Sequence, residues 1–134
     1  MRHLNPVATR IFECLVQGLE AVGDSKRVAN NDSYMQVIVE FTGTYGKASI
    51  FSVSHYGEQN GDLMCDPDMT FLLGTGGQVY PLSYRNDYVG VDQIAVRLET
   101  GSKIRFNEKL QYELVDFAQD WFGNINEQQD LGVS

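Results

Sequence analysis

The stretch HYGEQNGDLMCDPDM, residues 55–69, concentrates the side chains with which this chain could do chemistry. It holds His55, Cys65, the carboxylates Glu58, Asp62, Asp66 and Asp68, and the amides of Gln59 and Asn60. One chemistry is nucleophilic: His55 could polarise Cys65, with Asp62 or Asp66 orienting the ring. Such a site also needs oxyanion donors and a setting that stabilises the thiolate, and neither is identifiable around these residues. The expected role of Cys65 is a partly buried, unreactive thiol near a strand-end histidine, and no residue is assigned as catalytic. A second chemistry is metal binding, since His55, Glu58, Asp62, Asp66 and Asp68 supply hard and borderline ligands. Their spacing does not follow the calcium-loop pattern, in which a glycine at a set position makes the turn. The carboxylates are therefore expected to cap turns, and no metal or cofactor is predicted.

Two glycine-rich stretches invite a phosphate reading and fail it. GTGG at 74–77 precedes an apparent strand, not a helix N-terminus, and lacks the Lys and Ser/Thr of a phosphate loop. It reads as a hairpin turn, as does TGS at 100–102.

Charge supplies a different signal. The 134-residue chain has a formal net charge of −8. There is no Lys or Arg from Ala48 to Tyr84, and none from Leu110 onward. An acidic chain repels a phosphate backbone, so direct contact with nucleic acid is not expected. Near the C-terminus, Glu113, Asp116 and Asp120 fall three and four residues apart, on one stripe of a predicted helix. Such a ridge solubilises a surface. It can also meet the basic, nucleic-acid-binding surface of another protein and compete with the phosphate backbone there.

The elements that must position these groups are legible in outline. Asn5 can cap a helix that starts at Pro6, and Ala8, Ile11, Phe12, Leu15, Val16, Leu19 and Val22 recur at helical spacing until Gly23 ends it. SKRVANNDS, 25–33, reads as a polar connector. Strands follow at 34–42 and 47–55, then a structured loop at 55–68 pinned by the turn dipeptide Asn60-Gly61 and by Asp66-Pro67. Further hairpins flank GTGG and TGS, and Pro81 marks an edge or a bulge. Asn107 can cap a last helix whose apolar face is Leu110, Leu114, Phe117, Ala118, Trp121 and Phe122, closed by Gly123. Residues 124–134 read as a loose tail. Helix, about six strands and helix predict a single α+β domain over 1–134, an antiparallel meander with both helices on one face. No apolar run approaches a membrane span and the N-terminus lacks a secretion signal's apolar block, which predicts a cytosolic chain with reduced Cys14 and Cys65.

The segment 52–71, SVSHYGEQNGDLMCDPDMTF, resembles the central motif of an uncharacterised family, a domain of unknown function met in bacterial plasmids, phages and integrative elements. The likeness is carried by His55-Tyr56, by residues 58–64, by Asp66-Pro67, and by Met69 and Phe71, while Gly57 and Cys65 depart from it. The resemblance implies a genetic setting and no activity. By analogy with other small acidic proteins of mobile elements, it suggests a non-enzymatic protein that binds a partner with a basic surface, such as a nucleic-acid-binding defence complex. Glu113, Asp116 and Asp120 would carry the contact, joined by Glu58, Asp62 and Asp68. The alternative is a small enzyme or ligand-binding domain built on His55, Tyr56, Glu58, Gln59, Asn60, Asp62 and Asp66.

Overall fold

The computed structural model describes residues 1–134, the side chain of Glu58 excepted. Helix α1 spans Pro6–Val16, with Pro6 in its first turn and the Asn5 side chain accepting the Ala8 N–H. The apolar periodicity predicts a run to Val22, but the helix stops at Val16, one residue after Leu15. Gly18 takes the left-handed φ of 90°, and the Lys26 ammonium donates to the carbonyls of Cys14 and Gln17. A cation on the exposed carbonyls also suits the negative end of the helix dipole. Gly23 serves elsewhere: its N–H donates to the Phe41 carbonyl and leads the chain into a strand.

That strand, β1 (Ser25–Val28), lies where a polar connector is expected. It is a short edge strand whose Lys26 turns inward to the helix end, so its sequence lacks apolar alternation. The sheet then continues as β2 (Val37–Tyr45), β3 (Ala48–Gln59), β4 (Asp62–Leu73), β5 (Val79–Asn86) and β6 (Val91–Ile94), six antiparallel strands in chain order. The predicted third hairpin divides at Ala95. β6 stays in the sheet, whereas β7 (Val96–Glu99) and β8 (Lys103–Phe106) form a separate two-stranded ribbon. The Tyr45 hydroxyl ties the ribbon's end to β2 by donating to the Glu99 or Lys103 carbonyl, at 2.6 and 2.9 Å. Every residue of β8 is exposed.

One face of the six-stranded sheet carries the core. Val37, Val39 and Phe41 on β2, Phe51 and Val53 on β3, and Met69 and Phe71 on β4 are buried against α1 and α2. Phe12 of α1 sits among the rings of Phe51, Phe71 and Phe122, with centroids 5.5–6.4 Å apart. Truncating a fully buried member such as Leu15 to Ala should cost about 2–5 kcal/mol. Two expected core residues are less enclosed: Leu19 lies beyond the helix end and is half-buried, and Phe117 is 38 % exposed, edge-on to Tyr84.

Residues 55–68 are a long β-hairpin and not a loop. β3 and β4 pair as far as Gln59↔Asp62, and Asn60 and Gly61, both at positive φ, make the turn. Between the pairs Ser54↔Asp68 and Tyr56↔Cys65, β3 spends one residue, His55, while β4 spends two, Asp66 and Pro67. This bulge accommodates Asp66-Pro67, whose peptide bond is cis. A second irregularity, between Phe71↔Pro81 and Thr70↔Ser83, places Pro81 beyond the stretch that β6 pairs, as a residue without an N–H requires.

Helix α2 runs Glu108–Gln128, capped by the Asn107 side chain on the Leu110 N–H. Gly123 does not end it. Ile125 continues the buried stripe of Leu114, Ala118, Trp121 and Phe122, and its burial outweighs the glycine's modest helix penalty. The segment 124–134 is therefore a docked terminus. Leu131 and Val133 pack on the core, and the Asn126 side chain bonds both N–H and C=O of Val133.

Two buried glutamines pin the chain's irregular segments to α2. Gln111 accepts from the Arg2 N–H and donates to the Arg2 carbonyl, at 2.9 and 2.7 Å. Gln129 accepts the Asn30 N–H at 2.7 Å and donates to the Met35 carbonyl at 3.1 Å. Buried amides of this kind survive only fully bonded.

Candidate functional site

Helix α2 positions the predicted acidic ridge. Glu113, Asp116 and Asp120 are all exposed, on the side of the helix away from the buried stripe. Successive carboxylates stand about 4.5 and 6 Å apart along the axis, from the 1.5 Å rise per residue. The ion pairs among the described residues are Arg85–Asp87 and Arg105–Glu99, and neither reaches the ridge. Of the hairpin residues expected to join it, Asp62 is exposed at the turn, whereas Asp68 is elsewhere. Asp68 pairs with Ser54 and Arg85 and alternates with the buried Met69, so it projects from the sheet face opposite the helices. Glu58 lies on β3, and its side chain is outside what the structure describes.

The alternative site divides in the same way. Tyr56 projects to the helix-free face, and Gln59, Asn60 and Asp62 are exposed at the hairpin tip. His55 and Asp66, at the bulge, come together in a cleft of about 330 Å³. Its other walls come from the β1–β2 connector (Ser33, Tyr34, Met35), from Pro67, and from Trp121, Asn124 and Gln128 of α2. Among the described residues one carboxylate, and not two, lines the cleft with this histidine. His55 is 8 % exposed, and its Nδ1 accepts the Trp121 indole N–H at 3.4 Å. The two rings meet edge-on at 5.4 Å. Burial pushes the His55 pKa down, opposed by the nearby Asp66 charge, so the ring is neutral at pH 7. Among the described residues its Nε2 is buried without a partner. Asp66 Oδ1 accepts from the Asn86 side chain at 2.7 Å.

Cys65 lies on the other sheet face, opposite Tyr56, so the thiol and the His55 imidazole are not a pair. Burial, then the Asp87 carboxylate, pushes the thiol pKa up, the reverse of what a nucleophile needs. The Cys65 backbone N–H donates to Asp87, which also takes the Arg85 guanidinium and is held below the ordinary carboxylate range. Nearby, burial lifts Asp68 to about 6, against the pull of Arg85 and with the push of Glu40 and Asp87. Its Oδ1 is buried and without a partner among the described residues. Gly57, a departure in the family motif, has a local reason: a Cβ there would run into the Tyr88 hydroxyl and meet Met35 Cε at 3.2 Å.

A larger groove, about 680 Å³, runs past Arg27, Tyr34, Met35, Ile38, Tyr56 and Leu63, and among the described residues Arg27 is its one charged wall residue. No helix among the described residues is long and apolar enough to cross a membrane. Sequence reasoning missed Ser33, Trp121, Asn124 and Gln128 as cleft residues. The amides at 124 and 128, one turn apart beside Trp121, were the available signal, obscured by ending the helix at Gly123.

No curated protein and no solved structure matches this chain. A family model, described as a domain of unknown function (DUF6908), matches residues 10–131. That span takes in both helices and all eight strands apart from the first turn of α1, and the chain belongs to the DUF6908 family.

Proposed function

We propose that this protein acts by binding, without catalysis, and that its partner presents a basic surface to helix α2. The observation that carries the reading is the ridge of Glu113, Asp116 and Asp120, exposed on a helix with no Lys or Arg after Lys109. Like charges three and four residues apart on a helix repel by a few tenths of a kcal/mol per pair. An uncompensated stripe of this kind favours any cationic surface that neutralises it. In the fuller form of the proposal the chain is encoded on a mobile element and blocks a nucleic-acid-binding defence complex by offering carboxylates in place of phosphates. Asp62, at the exposed hairpin turn, is the hairpin acid able to extend such a contact, while Asp68 faces away from it.

The test is a pull-down with the full chain, followed by titration of the captured partner with wild type and an E113Q/D116N/D120N variant at low and high salt. Exposed charges act mainly on association and are screened by salt. The triple variant should bind at least tenfold more weakly at low salt, with the difference shrinking at high salt and thermal stability nearly unchanged. Equal low-salt affinities would reduce the ridge to a solvated surface.

A further inference from the structure

The β3–β4 hairpin outruns the sheet on its β2 side. β3 continues to Gln59, but its last pair with β2 is Val37↔His55. The chain ahead of Val37 does not extend β2, because Gln129, at the end of α2, holds the Asn30 N–H and the Met35 carbonyl. Among the described residues no strand lies beside 56–59 on this edge. The backbone of β3 is turned to use that place. In a two-residue hairpin the residues flanking the turn, here Gln59 and Asp62, exchange hydrogen bonds, and alternation makes Gly57 and Met64 the next such pair. Tyr56 and Glu58 then direct their N–H and C=O groups away from β4. Cys65, opposite Tyr56, shows the same alternation on the other edge. Its N–H donates to the Asp87 side chain, and its C=O accepts the Asp87 N–H.

This edge borders the groove of about 680 Å³. Ile38 and Tyr56 line it from the helix-free face, together with Tyr34, Met35 and Leu63, which are 39–70 % exposed. An open strand edge beside apolar side chains suits an extended chain, which bonds through its backbone and is selected through alternate side chains. Arg27 decides which end of such a chain lies here. It pairs with Ile38 across β1 and β2, lines the groove, and belongs to neither ion pair of the described residues. A strand added beside 56–59 meets Val37 end-on, so the incoming chain terminates there. Antiparallel to β3 it ends in a carboxylate, which Arg27 attracts; parallel to β3 it would bring an ammonium, which Arg27 repels. Leu131 and Val133, this chain's own apolar pair beside Ser134, are packed on the core, so the occupant comes from another protein. We propose that the β2-side edge of β3, at residues 56–59, binds the extended C-terminal segment of a partner protein. The segment lies antiparallel to β3, with alternate apolar side chains in the groove and its terminal carboxylate at Arg27.

The probe is the acetylated tetrapeptide Thr-Val-Thr-Val with a free carboxylate, titrated into the ¹⁵N-labelled full chain. The backbone amide signals of residues 56–59 should shift saturably. The same peptide with an amidated C-terminus should bind at least fivefold more weakly, and Thr-Ser-Thr-Ser at least tenfold more weakly. A version N-methylated at every residue cannot donate to the strand edge and should not bind. Arg27→Gln changes an exposed side chain, so the spectrum should stay otherwise intact, while the free acid should bind no better than the amide. The E113Q/D116N/D120N variant should bind the peptide like wild type, which separates this edge from the ridge. Equal affinities for acid and amide, or wild-type affinity in Arg27→Gln, would overturn the proposal. So would binding of the methylated peptide, or signals at 56–59 unmoved by millimolar peptide. A shift of those signals on concentrating the protein alone would also overturn it, by marking a second copy as the occupant.

Discussion

Replacing Asp68 with Asn should make the protein more stable at neutral pH. Asp68 sits on the helix-free face of the sheet, with one carboxylate oxygen buried and unpartnered among the described residues. Burial lifts its pKa from 3.8 to about 6, and Arg85 offsets this only in part. The folded protein therefore holds the Asp68 proton more tightly than the unfolded chain does. Well below pH 3.8 both states are protonated and the group costs nothing. As pH rises through 4 to 6 the unfolded chain releases its proton first, and folding stability falls. The two pKa values differ by the equivalent of about 3 kcal/mol. Asp68 retains contact with water, which screens the charge and reduces the expected cost to about 1–2 kcal/mol above pH 7. The assay is urea unfolding followed by Trp121 fluorescence, at pH 4.0 and 7.5, for wild type and Asp68→Asn. The variant should gain about 1–2 kcal/mol at pH 7.5 and differ from wild type by less than about 0.5 kcal/mol at pH 4.0. A variant equal to or weaker than wild type at pH 7.5 would refute the reasoning, and would mean that the charged carboxylate is well solvated or well paired.

Gln129→Leu should cost roughly 2–4 kcal/mol, because it strips partners from the Asn30 N–H and the Met35 carbonyl at once; faster hydrogen exchange at the Asn30 amide would localise the loss. Gly57→Ala should cost less than about 1 kcal/mol by urea unfolding, because the Tyr88 hydroxyl and the Met35 Cε it meets are the ends of exposed side chains that can turn aside, and a larger loss would show that Tyr88 is held in place. Alkylation at pH 7 should modify Cys65 at least tenfold more slowly than the half-buried Cys14, and comparable rates would show that Cys65 is more accessible than its place on the sheet allows.

What the sequence discloses here depends on whether a signal is local. Alternating Val37, Val39 and Phe41, the caps Asn5 and Asn107, and the turn dipeptide Asn60-Gly61 act over a few residues, and each is found where it is expected. The failures share a cause of another kind. Helix α1 ends at Val16, just before Gly18, because Lys26, on a strand the chain has yet to form, supplies the cap. Helix α2 passes through Gly123 because Ile125 has a core to enter. β1 is invisible because an edge strand facing a helix end needs no apolar alternation. The rich residue content of 55–69 suggests a loop, but a two-residue turn and one bulge let it continue as strand, and alternation then sends its side chains to opposite faces. His55 and Asp66 meet because the bulge sets them side by side; Cys65 and Asp68 are turned away by the same geometry.

The β7–β8 ribbon has a bearing on how copies of this chain behave together. β8 pairs with β7 alone, so its second edge presents unpaired backbone groups, and Ile104 and Phe106 beside that edge are 40 % and 43 % exposed. An apolar open edge invites strand-on-strand growth between molecules. Here the invitation carries a penalty, because Arg97 and Arg105 stand opposite each other across the ribbon with Lys103 close by, and Glu99 offsets only one of the three. Two ribbons aligned edge to edge would bring these cations together. The ribbon's positive charge, unusual in so acidic a chain, thus keeps its own open strand solitary. That protection is electrostatic, so it weakens as salt shortens the Debye length to a few ångströms.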